Sequence, residues 1–504
     1  MSPRTNYDSN FCGSLPLHLT NLVQSYGYLL VLDLAGLRIV QLSENSEELF
    51  GQPVEKVVGQ SFSDYLSPAD IANLEEKLAS GIREKIPFNF TFGESKREVL
   101  ALVHLRDDHI LAELEPVSPA HKKGFTEVYN EIRYVIAAID TAETLGQASA
   151  IAVRELKKLS GFDKIMMYRF DEEWNGTVIA EIMEEGMEPY MGLTFPASDV
   201  PKQARALYLK NPYRLIPDRE YTPVRLYPVI NPITQSFLDL SDCNLRSVAA
   251  VHIEYLRNMK VTASMSTRVI RNGELWGLIS CHHREPKYLD QESCSIFELL
   301  SDVISSRIDH IIRKEEYDFS NRLQQNYAKL VEYIYSENDF VSGLLKDDVN
   351  VMDFLGAGGV AITGRGRTGT LGNVPDAEKI ENLVLWLQAK GIDHVYTEAN
   401  LAAVYDGAAD YSAIASGIIV VPIDAEEGHY VIGFRPEVIK DINWGGNPNE
   451  AIHFEPGKNN YHPRHSFQVW QERVKDTAIA WSEQEINWAE RLRNFIFEYN
   501  IKHS

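Results

Sequence analysis

Residues 302–335 read DVISSRIDHIIRKEEYDFSNRLQQNYAKLVEYIY, inside a longer span, Lys287 to Ser342, that holds neither Gly nor Pro. Apolar side chains recur at Ile296, Leu299, Leu300, Val303, Ile304, Ile308, Ile311, Ile312, Phe319, Leu323, Tyr327, Leu330 and Ile334. Steps of three and four set them in one stripe along an α-helix. Unbroken from 290 to 335, that helix would reach roughly 70 Å at 1.5 Å per residue. A single domain of this size has no use for such a length. The stretch therefore predicts a helical spine that joins two domains and pairs with a second copy as a homodimer. Two helices meeting at a kink satisfy the same pattern.

On the amino-terminal side, ASMSTRVIRNGELWGLISCHH (263–283) reads as a hairpin, with Asn272-Gly273 as a strong two-residue turn signal. From about 125 to 312 the order is helix, strands, helices, hairpin, helix. Before that, YLLVLD, LRIVQLS, VLALVHL and HILAELEPV alternate around short helices, a small α+β sheet domain ending near 117. EPVSPAHKKG joins the two. Beyond the spine, VVPIDAEEGHYVIGFRPE (420–437) weakly echoes the earlier hairpin. DINWGGNPNEAIHFEPGKNNYHPRHSFQVWQERV (441–474) then interrupts it, an irregular excursion whose aromatics favour function. Ser482 and Glu485 form a capping box ahead of a last amphipathic helix through Trp488, Leu492, Phe495 and Ile496.

Composition narrows the function. With 504 residues the chain predicts about three domains. A net charge of −23, from 49 basic and 72 acidic residues, argues against nucleic acid as a partner. No apolar run is long enough for a membrane span, and MSPRTNYDSN lacks a signal-peptide core. Cys12, Cys243, Cys281 and Cys294 are too scattered for a disulfide framework or a zinc pattern, which predicts a cytoplasmic protein without a metal site.

Three stretches carry candidate chemistry. In TFPASDVPKQARALY (194–208), Asp199 reads most simply as a helix N-cap with Pro201 in the first turn. In CNLRSVAAVHIEYLRNM (243–259), His252 and Tyr255 share a helix face, as they would in an ordinary core. In SCHHREP (280–286), two adjacent imidazoles at a strand end point to opposite faces.

Together with NFCGSLP (10–16), LWGLISCHH, WGGNPNEA and HPRHSFQVW, these stretches resemble the photosensory core of a bacteriophytochrome, over essentially the whole chain. The resemblance implies an α+β fold of three tandem PAS/GAF-type antiparallel-sheet domains on a long helical spine. It places a PAS domain at 1–117, a GAF domain at 125–312 and a PHY domain at 316–504. A figure-of-eight knot near the amino terminus and a PHY tongue at about 435–475 complete it.

The resemblance also implies a bound biliverdin IXα, attached by a thioether at Cys12. Val251 stands where relatives that use a reduced bilin carry a cysteine. Arg214 and Arg246 match the arginines that grip one propionate, and Tyr208, Ser264 and Ser266 match groups near the other. Asp199, through its main-chain carbonyl, and His252, through a shared water, would organise the pyrrole N–H bonds. Tyr168, Phe195 and Tyr255 would wall ring D, with His282 on its carbonyl. Arg464 would pair with Asp199, and Ser466 would replace it after photoconversion. Ala249 and Ala250 depart from a more usual serine and proline, and QSYG (24–27) from a Pro-His pair.

The expected function is a red/far-red photoreceptor module, not an enzyme. It would signal to a C-terminal output module or response regulator, as a histidine kinase most often and a cyclase next. Nothing after residue 480 resembles such a module. The alternatives are a bilin reductase, which would release its ligand, and a GAF-type small-molecule sensor, which needs neither Cys12 nor a tongue.

Overall fold

A computed structural model of the chain describes residues 16–93, 97–117, 125–346, 348–364, 367–448, 452–454, 461–463 and 466–503. They form two compact units: residues up to 311 with 443–470, and 312–442 with 471 onward.

The first unit begins with β1 (Leu22–Val23), β2 (Tyr28–Leu32), β3 (Ile39–Ser43), helix α1 (Pro68–Ala79), β4 (Ile86–Phe92), β5 (Arg97–Leu105) and β6 (Ile110–Pro116). Along β4, Ile86, Phe88, Phe90 and Phe92 are buried and the residues between them exposed, the period-two pattern of a sheet with one wet face. Ser67 caps α1, accepting the Asp70 amide at 3.1 Å. Next come α2 (Phe125–Asp140), α3 (Leu145–Ser160), β7 (Lys164–Phe170), β8 (Gly176–Met183), β9 (Thr194–Phe195), α4 (Lys202–Lys210), β10 (Tyr213–Ile216), β11 (Val224–Tyr227), α5 (Ala250–Asn258), β12 (Ala263–Arg271) and β13 (Glu274–His283).

The first sheet runs β1-β11-β3-β2-β6-β5-β4, so one strand from the second domain sits inside the first domain's sheet. Leu22 pairs with Arg225 and Val23 with Val224, while Leu226 pairs with Ser43. On its other side the leader is held by Leu240 N to His18 O (2.9 Å), Gln24 N to Leu245 O (2.7 Å) and Ser247 N to Leu22 O (3.1 Å). Val23, Leu29, Leu111, Leu226, Leu240 and Leu245 bury a shared apolar core there. Residues 16–24 thus pass between 224–227 and 239–247, the expected knot.

The second sheet runs β10-β12-β13-β7-β8-β9. Its β12–β13 hairpin turns at Asn272 (φ 52°) and Gly273 (φ 79°), both left-handed, as a type I′ turn requires. Helix α6 (Gln291–Glu337) follows, 47 residues without a break, so the kinked alternative is not realised. Leu300, Ile304, Ile308 and Ile311 are buried in the first unit, but Leu299 is 47% exposed. Adjacent helix positions lie about 100° apart, which puts Leu299 at the outer edge of the stripe that Leu300 buries.

The second unit contains β14 (Gly359–Gly364), β15 (Arg367–Gly372), α7 (Ala377–Lys390), β16 (Tyr396–Glu398), β17 (Gly417–Asp424) and β18 (His429–Arg435), in the order β15-β14-β18-β17-β16. The excursion that follows supplies β19 (Lys440–Gly445), β20 (Ile452–Phe454), β21 (Tyr461–Pro463) and β22 (Val469–Val474). β20 and β21 form an antiparallel pair, and Trp444 is a parallel neighbour of Thr194 in β9. Helix α8 (Glu483–His503) closes the chain behind the expected capping box, with Ser482 N to Glu485 Oε2 at 2.7 Å and Glu485 N to Ser482 Oγ at 3.3 Å. Its Trp488, Leu492 and Ile496 pack with Leu323, Leu330 and Ile334 of α6.

Candidate functional site

A cavity of about 180 Å³ opens between α4, β10 and α5, walled also by Leu17 of the leader and Pro463 of the tongue. Asp199, Tyr208, Arg214, Arg246, His252 and Tyr255 all line it.

The N-cap reading of Asp199 is overturned. Residues Ala197–Asp199 make a 3₁₀ turn, and α4 starts only at Lys202, with Pro201 at its N-cap and no side-chain cap bond. The carboxylate instead accepts the Tyr255 hydroxyl at 2.8 Å. Tyr255 lies three residues after His252 on α5, and their rings stack at 5.9 Å and 10°.

The two arginines are anchored differently. Arg214 donates from Nη1 to Asn244 O (3.0 Å) and from Nη2 to Ser247 O (3.1 Å) and Arg246 O. Arg246 donates from Nη1 to Leu17 O (3.1 Å), and its buried Nε has no partner among the described residues. Burial and the Arg214 charge pull the Arg246 pKa down to about 9. Two cations enclosed side by side call for an anion, since charge removed from water needs an opposite charge. Burial, Arg214 and Arg246 also depress His252 to about 4, keeping its imidazole neutral.

Beside the cavity lies an aromatic cluster. Phe195 meets Tyr168 edge-on at 5.7 Å and Tyr190 at 5.6 Å, and Tyr255 meets Phe467 of the tongue edge-on at 5.1 Å. Met166, Val178, Leu193, Ile216 and Leu256 complete this core. Tyr208 Oη and Ser266 Oγ share a hydrogen bond of 2.5 Å. Ser264 is buried on β12 directly opposite His282 on β13. As expected for adjacent strand residues, His282 is buried while His283 turns outward to Asp163 Oδ2 at 3.1 Å. Burial, Lys164 and His252 push His282 down to about 3.

Tyr168, Phe195, Ser264, Ser266 and His282 are therefore neighbours of the cavity rather than its lining. Ser466 is exposed, with its Oγ accepting the Gln468 amide at 3.3 Å, and stands apart. Cys12 and Arg464 lie outside the described residues. Sequence reasoning missed Leu17, Tyr213 and Phe467. Tyr213 adjoins Arg214 in β10 and its Oη accepts from Asn244 Nδ2 at 2.9 Å, which only the folded knot reveals.

Guanidinium groups without a carboxylate partner among the described residues, neutral imidazoles and aromatic walls fit a conjugated ligand with acidic side chains, as a bilin is. Among the described residues no group of three or more His, Cys, Asp or Glu could hold a metal ion, and no helix is long and apolar enough to cross a membrane.

Known proteins show the same organisation. Residues 12–117 match the PAS fold, 144–308 the GAF domain and 323–504 the phytochrome region. The chain is 36% identical over 493 residues to cyanobacterial phytochrome B of Nostoc sp., covering 97% of this chain and 66% of that protein. It is 31% identical to a bacteriophytochrome of Xanthomonas campestris pv. campestris, covering 98% of this chain and 80% of that one. The crystal structure of a bacteriophytochrome from R. palustris superimposes with a TM-score of 0.84 at 32% identity, covering 97% of this chain and 99% of that one. The Stigmatella aurantiaca phytochrome photosensory core module gives 0.83 at 34% identity, covering 98% of each. The chain spans 66% and 64% of the length of two cyanobacterial phytochromes it matches.

Proposed function

The chain belongs to the phytochrome family of light photoreceptors, and from that premise we propose that it binds biliverdin IXα through a thioether at Cys12 as a red/far-red sensor. When bound, the bilin supplies light absorption and photoisomerisation at ring D. The chain's own residues hold, orient and seal it. Arg246, with its open Nε, takes one propionate, and Arg214 fixes the 244–247 backbone beside it. Tyr208, Ser266 and Ser264 serve the second. The Asp199 main-chain carbonyl, and neutral His252 through a shared water, organise the pyrrole N–H bonds. Tyr168, Phe195 and Tyr255 enclose ring D, and His282 donates to its carbonyl.

Arg464 of the tongue pairs with Asp199 in the red-absorbing form, and Ser466 replaces it as the tongue refolds from strand to helix. Removing one member of an enclosed ion pair typically costs about 3–5 kcal/mol. That suffices to tip an element balanced within a few kcal/mol. The signal passes along α6, in a homodimer, to an output module; exposed Leu299 and Tyr134 (47% and 69%) suit a helix-to-helix contact between copies.

The observation that carries this reading is the pair of guanidinium groups on one cavity with no carboxylate partner among the described residues. The test is to load the purified chain with biliverdin and then denature it. Colour should stay with the polypeptide, and Cys12→Ala should keep only pigment that washes away. Release of pigment from the unaltered chain on denaturation would show that no covalent bond forms and would overturn the thioether at Cys12.

A further inference from the structure

One hydroxyl beside the site belongs to no role assigned so far. Ser280 lies two residues before His282 on β13, so both side chains leave the same face of the sheet. Ser280 Oγ is 3.1 Å from His282 Nε2, whereas His282 Nδ1 is buried with no partner among the described residues. Ser266, across the sheet from Ser280, is engaged by Tyr208 at 2.5 Å, so its hydroxyl already has a partner.

A neutral imidazole has one N–H and one bare nitrogen, and burial keeps His282 in that neutral form. Two arrangements satisfy the 3.1 Å bond. If Nε2 carries the proton and donates, the half-buried Ser280 hydroxyl hydrogen and the bare Nδ1 are both left without a partner among the described residues. If Ser280 donates to a bare Nε2, only the Nδ1 N–H is left over. The second leaves fewer groups unmatched. It also keeps an open donor, and the carbonyl of a bilin can only accept. Buried donors without acceptors are rare, and a ligand carbonyl removes this one.

We propose that Ser280 is a positioning residue that donates to His282 Nε2 and so places the imidazole proton on Nδ1, where it is available to the carbonyl of a bound bilin. The hydrogen bond the other ring nitrogen makes is what sets a histidine's tautomer. The use of that proton rests on the bilin reading above; the tautomer itself does not.

Nitrogen NMR of isotopically labelled histidine in the full chain, without pigment, reads the tautomer directly, with His282→Gln identifying the resonances. The unaltered chain and Ser280→Thr should show a protonated Nδ1. Ser280→Ala should shift the proton toward Nε2. The biliverdin-loaded Ala variant should shift its absorption band, and Thr should restore it. A protonated Nε2 in the unaltered chain, or the same tautomer in Ser280→Ala, overturns the proposal. Failure of the unaltered chain to take pigment would sink the bilin reading while leaving the tautomer result standing.

Discussion

Arg214 and Arg246 look interchangeable in sequence, yet their donors are spent differently. Three main-chain carbonyls occupy Arg214, and one occupies Arg246. Hydrogen bonds from a charged group contribute about 1.5–3 kcal/mol each. Arg214→Gln should therefore cost several kcal/mol in the unloaded chain, whereas Arg246→Gln should cost less and chiefly slow pigment uptake. Thermal unfolding beside uptake rates checks the split, and equal losses in both assays would contradict it. Both arginines were legible by resemblance, but their division of labour was not, because it depends on carbonyls 30 or more positions away in sequence. Asp199 shows the opposite difficulty. Its local sequence favours a cap, whereas its carboxylate accepts from Tyr255, remote in the chain.

Elements specified by local chemistry were legible: the helical stripe of α6 (though not its lack of a kink), the Asn272-Gly273 turn and the capping box of α8. The tongue's attachment was not, since it rests on one close approach. Gly445 lies against Phe195, and a Cβ there would sit 2.6 Å from Phe195 Cε1. Carbon atoms in contact keep about 3.5–4.0 Å apart, so in Gly445→Ala either the Phe195 ring turns or β19 moves away from β9, and the enclosed ring favours the second. Protease cleavage within 446–468 should become faster in that variant, while cleavage elsewhere stays the same. Unaltered cleavage would show that the contact yields without cost. β11 was likewise hidden, because YTPVRLYP carries no sign that its partners are strands at residues 22–23 and 42–43.

The folded chain as a whole should respond to acid through its enclosed imidazoles. A histidine has a pKa near 6.5 when unfolded, and folding lowers His252 to about 4 and His282 to about 3. Below 6.5 the unfolded chain binds more protons, so folding stability is complete above that pH and declines as pH falls toward 4. At pH 5 each group should cost about 2 kcal/mol. Urea midpoints of the pigment-free chain at pH 7.5 and 5 measure it, with His252→Gln and His282→Gln each narrowing the gap. A gap unaffected by either substitution would place the acid sensitivity elsewhere.

The insertion of β11 between β1 and β3 bears on how such a protein can be rearranged. Severing the chain at residue 117 would strip β3 of one of its two neighbours, β11, and leave a raw, adhesive margin that invites aggregation. The leading lobe is therefore no interchangeable cassette. Recombination can swap it intact only if the crossover falls beyond residue 247, so that inheritance treats both lobes as one unit.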